Sequence, residues 1–99
     1  AGLLRFNPGT LRASLGDSAA TELSGRGARI FELLVRHFPH FVSHDQLMES
    51  VWDGRETDLH TIRTHVYALR KQLQDQLGHP LIRTVHGRGY RLDPPTNRE

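Results

Sequence analysis

Residues 58–92 constrain the fold more than any other stretch, because two patterns of different period stand back to back there. Ile62, Val66, Leu69, Leu73 and Leu77 recur at spacings of four, three, four and four, which lines one face of an α-helix with apolar groups. At about 100° per residue the opposite face carries His60, Arg63, Thr64, Tyr67 and Lys71. The period then changes. Leu81-Ile82-Arg83-Thr84-Val85 is a β-rich run, His86-Gly87-Arg88-Gly89 a turn, and Tyr90-Arg91-Leu92 a returning strand. The stretch therefore predicts one amphipathic helix, basic and hydroxyl-bearing on its outer side, followed by a glycine-tipped hairpin.

The residues before it supply supporting elements. Leu3-Leu4-Arg5-Phe6 and Leu11-Arg12-Ala13-Ser14-Leu15 are short alternating runs split by Asn7-Pro8-Gly9, a turn signal. Gly16-Asp17 offers a second turn, and residues 19–23 a weak third strand, so the opening reads as a small antiparallel meander. Ser24 is placed to cap a helix, its hydroxyl accepting from a first-turn N–H. Ala28, Phe31, Leu34, Val35 and Phe38 follow at helical spacing, Gly25 and Gly27 weaken the first turn, and Pro39 ends it. Ser43 caps a second helix, with Asp45 and Gln46 in its first turn and Leu47, Val51 and Trp52 facing inward. The loop of residues 53–57 (Asp53, Gly54, Arg55, Glu56, Thr57) leads to Asp58, the expected cap of the third helix. Gly78-His79-Pro80 closes that helix, and residues 93–99 read as a frayed tail.

The expected fold is thus α+β in a single domain over residues 1–99. It has an amino-terminal antiparallel β-meander (1–23), three helices (24–77) and a carboxy-terminal β-hairpin (81–92). A helix of major-groove size with a basic hairpin beside it is the arrangement of a winged helix-turn-helix.

Charge sharpens this. The formal net charge is only +2, but residues 60–91 hold Arg63, Arg70, Lys71, Arg83, Arg88 and Arg91 against the single acid Asp75, a local charge of +5. A polyanion suits that stretch better than the global balance suggests; a solvated basic face is the plainer alternative. The absence of cysteine removes disulfides, thiolate metal sites and a cysteine nucleophile, and permits a reducing cytoplasmic setting. No apolar run approaches the ~20 residues of a membrane span. Ala1 is no natural initiator, and the chain reads as a processed or excised domain.

Other chemistries find little support. His37, His40 and His44 lie close in sequence but straddle Pro39, so they share no rigid face, and no metal or other cofactor is expected. His60 and His65 stand five apart, which is not ligand spacing on a helix. No Gly-x-Ser-x-Gly nucleophile elbow is present. Gly25-Arg26-Gly27 and Gly87-Arg88-Gly89 lack the third glycine and helix entry of a dinucleotide loop. An enzyme is not expected. Trp52 ends an apolar helix face and reads as core, a role that leaves its indole N–H available for a phosphate; Tyr90 has the same two readings. Arg70 and Lys71 have a simpler reading as solvated helix charges.

Four strings together resemble a known family. They are Val42-Ser43-His44-Asp45-Gln46-Leu47, Val51-Trp52, His65-Val66 through Leu69-Arg70-Lys71-x-Leu73, and Thr84-Val85-His86-Gly87-Arg88-Gly89-Tyr90-Arg91-Leu92. They resemble the OmpR/PhoB-type winged-helix DNA-binding domain over nearly the whole chain. That resemblance implies a bacterial, cytoplasmic transcription regulator, most often the effector half of a two-component response regulator. A separate receiver domain, when phosphorylated, then promotes dimerisation on tandem half-sites of double-stranded DNA. Membrane-anchored, unphosphorylated regulators also belong to the family, and a winged-helix protein-interaction module is the other reading left open.

Carried over position by position, the resemblance implies phosphate contacts from Ser43, His44, Trp52, His60, Thr61, His65, Arg70, Thr84 and Tyr90, with Lys71 beside them. It places Arg63, Thr64 and Ala68, together with Tyr67 on the same face, against base edges. The wing tip, with His86 and Arg88, would enter the minor groove, and the loop of residues 53–57 matches a segment that in some members touches RNA polymerase. Four departures stand out. Gly27 replaces a capping-box glutamate, so the first helix is expected to start loosely. Arg63 stands where an acid is frequent, and Ala68 where an arginine often is. His86 replaces the usual wing arginine, while Arg88 adds one two residues later.

Overall fold

The computed structural model describes residues 3–55 and 57–95. The chain opens with three antiparallel strands, β1 (Leu4–Asn7), β2 (Arg12–Leu15) and β3 (Thr21–Glu22), in sheet order β1-β2-β3. The first turn closes because the Asn7 side-chain oxygen accepts from the Gly9 and Thr10 amides at 2.8 and 3.3 Å. The second closes on Ser18, whose hydroxyl accepts from the Leu15 amide at 2.9 Å. Helix α1 (Gly25–His37) follows, then β4 (Val42–Ser43), α2 (His44–Val51), α3 (Leu59–Leu77), β5 (Ile82–Val85) and β6 (Gly89–Leu92). Strands β4, β6 and β5 form a second sheet in that order. The expected meander, three helices and hairpin are all present.

The apolar periods end up where they must. Ile62, Val66, Leu69, Leu73 and Leu77 of α3 are all buried, against Ile30, Phe31 and Leu34 of α1, Leu47 and Val51 of α2, and Leu81, Ile82 and Leu92 of the second sheet. Each fully buried Leu or Ile side chain contributes about 1.5–3 kcal/mol, so α3 is held by its inner face rather than by helix propensity. Phe6 meets Phe31 edge to face at 5.1 Å, fastening the first sheet to α1.

Four details depart from the expected layout. Ser24 precedes α1 but makes no side-chain cap bond. Gly25 adopts a left-handed conformation (φ 57), which breaks the extended-to-helical step that aims a capping hydroxyl at the following amides. With Gly27 in place of an acid, α1 starts without any carboxylate in its first turn. Phe38 leaves the α1 stripe: it lies past the helix end at φ −52, ψ 133, the extended conformation that a following proline imposes, and Ile30 takes a core place instead. Strand β4 makes the hairpin three-stranded, pairing Val42 with Tyr90 and Ser43 with Gly89. Asp93, at the start of the expected tail, is tied down by its amide, which donates to the Leu81 carbonyl at 2.7 Å. Residues 96–99 of that tail lie outside the described residues.

Candidate nucleic-acid interface

Two carboxyl and hydroxyl caps set the positions of the helices that form the outer face. Ser43 Oγ accepts from the Gln46 amide at 3.0 Å while the Ser43 amide donates to Gln46 Oε1 at 2.8 Å, a reciprocal capping box. Asp58 Oδ1 accepts from the Thr61 amide at 2.8 Å. That amide, then the Thr61 hydroxyl, hold the Asp58 carboxyl below its ordinary value, because a hydrogen bond to the charged form favours it. Gly78 ends α3 in a left-handed conformation (φ 82), its amide returning to the Gln74 carbonyl.

The wing is fixed to the start of α2. Gly87 turns the hairpin at φ 72, and the Arg88 amide closes the turn on the Val85 carbonyl at 2.9 Å. The His44 amide donates to the Arg88 carbonyl at 3.1 Å, and the His44 ring meets Tyr90 edge to face at 5.8 Å. At Gly89 a Cβ would overlap the Val42 carbonyl oxygen and crowd the Ser43 backbone. Glycine is therefore required there by the closeness of β4, not by a turn. Arg70 links the wing to α3, its guanidinium donating to Thr84 Oγ1 at 3.3 Å, while its Nε is buried without a partner among the described residues.

The outer face of α3 stands between two grooves. One, of about 520 Å³, runs between α3 and the wing and is lined by His44, Arg63, Tyr67, Arg70, Thr84 and His86 among others. The other, of about 220 Å³, lies between α3 and the start of α1, where Ser24, Arg26, His65, Ala68 and Gln72 meet. On this flank His65 Nδ1 donates to the Thr61 carbonyl at 2.9 Å. The His65 ring meets Trp52 edge to face at 5.2 Å, and Arg26 lies over the indole at 5.2 Å.

The expected contact residues divide by environment. His60, Arg63, Thr64, Tyr67, Ala68, Lys71, Thr84, His86 and Arg88 are exposed, and Ser43, His44, Thr61, His65 and Arg70 are half-buried. Trp52 and Tyr90 are only 4% and 3% exposed, so each serves the core first. The cations also divide. Lys71 pairs with Asp75 at 3.5 Å, and Asp93 takes both Arg83 and Arg91, at 3.4 and 3.9 Å. Among the described residues this leaves Arg63 and Arg88 as the cations of the stretch whose side chains have no ion-pair or hydrogen-bond partner. One stands on α3 and the other at the wing tip.

Three participants were not legible in sequence. Arg26 sits inside a Gly-Arg-Gly fragment with no helical stripe to mark it, and only its stacking on Trp52 brings it to the interface. The β4 pairing is two residues long, too short for a period. Arg29 reaches from α1 to the Ser50 carbonyl at 2.5 Å and to Asp53 Oδ1 at 3.2 Å, clamping the loop that follows α2. Asp53 and Gly54 turn there with positive φ, 56 and 73; Glu56 of the same loop lies outside the described residues. Among the described residues no cluster of three or more metal-ligating side chains occurs, and no helix is long and apolar enough to cross a membrane.

Three packed helices, the last with a polar outer face, and a three-stranded wing, with one unpaired cation on α3 and one at the wing tip among the described residues, define a winged-helix domain of the DNA-binding, transcription-regulating class. Comparison with known proteins agrees. A family model described as transcriptional regulatory protein, C terminal, matches residues 10–92, and the chain belongs to that family, one of transcription regulators rather than enzymes. The response regulator protein PmrA of Pseudomonas aeruginosa is 36% identical over 96 residues, covering 95% of this chain and 41% of PmrA. The chain thus spans about two fifths of that relative. The DNA-binding domain of CpxR from Escherichia coli superposes with a TM-score of 0.75 at 35% identity, covering 95% of this chain and 93% of that one. The Klebsiella pneumoniae RstA DNA-binding domain, solved in complex with the RstA box, gives 0.72 at 25% identity, with 95% and 94% covered.

Proposed function

We propose that this domain binds double-stranded DNA sequence-specifically to regulate transcription, with α3 in the major groove and the wing tip in the adjacent minor groove. The observation that carries this reading is the division of the cations: Arg63 and Arg88, alone in the basic stretch, are unpartnered among the described residues. The two grooves beside α3 suit the two phosphodiester strands that wall a major groove. Ser43, His44, Arg70, Thr84 and Tyr90 face one strand, and Trp52, Thr61, His65 and Arg26 the other, with His60 and Lys71 at the ends of the exposed face. The Trp52 indole N–H makes no hydrogen bond among the described residues and is available to a phosphate. Arg63, Thr64, Tyr67 and Ala68 meet base edges. In this reading Arg88 rather than His86 enters the minor groove, because a narrow A/T-rich groove attracts a guanidinium, whose positive charge is permanent. The parent protein is a cytoplasmic response regulator with a receiver domain, dimerising on tandem half-sites, and the loop of residues 53–57 is its surface for RNA polymerase.

A salt titration tests this. Each phosphate neutralised contributes about −0.9 to the slope of log affinity against log salt, so about five to seven contacts give a slope near −5. Fluorescence anisotropy with a labelled duplex measures it directly. A slope near zero would count against groove binding and favour the protein-interaction module.

A further inference from the structure

The centre of the α3 outer face is not charged. Thr64, Tyr67 and Ala68 stand at i, i+3 and i+4, neighbours on a helix surface, and all three are exposed. Tyr67, at 67% exposure, is the most exposed large hydrophobic side chain among the described residues. Ala68 presents a methyl group. The Thr64 hydroxyl donates its one hydrogen to the His60 carbonyl at 2.9 Å, so what Thr64 offers outward is a methyl group and oxygen lone pairs. The cations stand at the margins: Arg63 is unpartnered on one side, Arg70 is engaged with Thr84, and Lys71 with Asp75. A ring and two methyls left uncovered inside a cationic rim match a partner that is anionic at its edges and apolar at its centre.

A DNA major groove meets that description, and the thymine 5-methyl is the apolar group its base edges present. Resting on the DNA-binding reading above, we infer that Thr64, Tyr67 and Ala68 form a reader of thymine methyl groups. The Tyr67 ring and the two side-chain methyls pack against the 5-methyl groups, and Arg63 supplies the polar base contact beside them. Thr64 and Ala68 are one helical turn apart, about 6 Å along the axis, and base pairs rise about 3.4 Å each. The reader therefore spans about two neighbouring base pairs, adjacent to the pair met by Arg63. An apolar protein helix is the other candidate occupant, and it lacks the phosphates that the rim of cations would face.

The experiment replaces methyl groups and nothing else. Sequences bound by the 99-residue chain are selected from a random duplex pool, and in the best duplex each thymine is changed in turn to uracil. At one or two positions affinity should fall about fourfold, the effect of one methyl-sized group leaving an apolar contact. Tyr67→Phe should keep this uracil penalty. Tyr67→Ala should abolish it at one position, so that thymine and uracil bind alike there. Both variants should keep the unmodified chain's thermal unfolding midpoint, because Tyr67 is exposed and its removal leaves the core intact. A selected duplex indifferent to uracil at every position overturns the methyl reader and leaves DNA binding standing. So does loss of the penalty in Tyr67→Phe, since the hydroxyl would then carry the contact. Failure to bind any duplex at low salt overturns the DNA-binding reading and the methyl reader with it.

Discussion

Among the described residues the side chains of Arg63 and Arg88 share an absence of internal partners, yet their expected contributions differ in kind. A guanidinium facing base edges donates two parallel bonds to guanine O6 and N7. Arg63→Ala should therefore cost about 1–3 kcal/mol on the selected site and flatten preference at one base pair. Lys71, held by Asp75, acts through the backbone if it touches DNA, so Lys71→Ala should weaken all sequences alike. Binding-site selection with each variant separates the two; an unchanged motif with Arg63→Ala would mean that α3 docks differently. Arg88 is tested at the flank, on two duplexes that differ only in A/T or G/C content where the wing would lie. Arg88→Ala should erase the preference for A/T, and His86→Ala should spare it. The reverse result would return the minor-groove role to residue 86. At this scale sequence and structure carried different information. Charge counting found all six cations of residues 60–91 but could not see that Asp93, two residues beyond the stretch, takes two of them.

Each helix begins with its own solution to the problem of free amides, and the three solutions differ in strength. Helix α2 has a full capping box, α3 a carboxylate cap, and α1 no side-chain cap at all. The α3 cap is pH-sensitive. Asp58 has a lowered value in the folded chain, so its stabilisation is fully present above the ordinary carboxylate value of about 3.9. It is lost as pH falls through the lowered folded value. Asn caps a helix without titrating, so thermal unfolding followed from pH 5 downward should show Asp58→Asn declining less steeply than the unmodified chain. Parallel decline would remove Asp58 from the acid response. Elements such as α3 were legible because five apolar positions at helical spacing leave one solution. The caps at Ser43 and Asp58 were legible because cap chemistry is local. Ser24 was misleading for a related reason: the residue type suits a cap, but the Gly25 conformation that defeats it leaves no mark in a pattern of polarity.

Across the whole molecule, distant parts are joined by contacts that no local pattern announces. Residues 42–44 and 88–90 belong to different elements, yet β4 pairs with β6, and the wing tip accepts the first amide of α2. The first amides of a helix ordinarily point into solvent without a protein partner. Here the His44 amide is shielded by a carbonyl more than forty positions away in sequence. Its deuterium uptake should accordingly report on the attachment of the wing rather than on the fraying of α2. In native-state exchange the His44 amide should be protected to nearly the same degree as those of β6, while the neighbouring Asp45 amide exchanges rapidly. A methyl group added at Gly89 would collide with the Val42 backbone and cost about 3 kcal/mol, the upper range of overpacking. Gly89→Ala should then leave His44 exchanging as fast as Asp45 while the core of α3 stays closed, making one helix-start proton a clock for the lifetime of the docked hairpin.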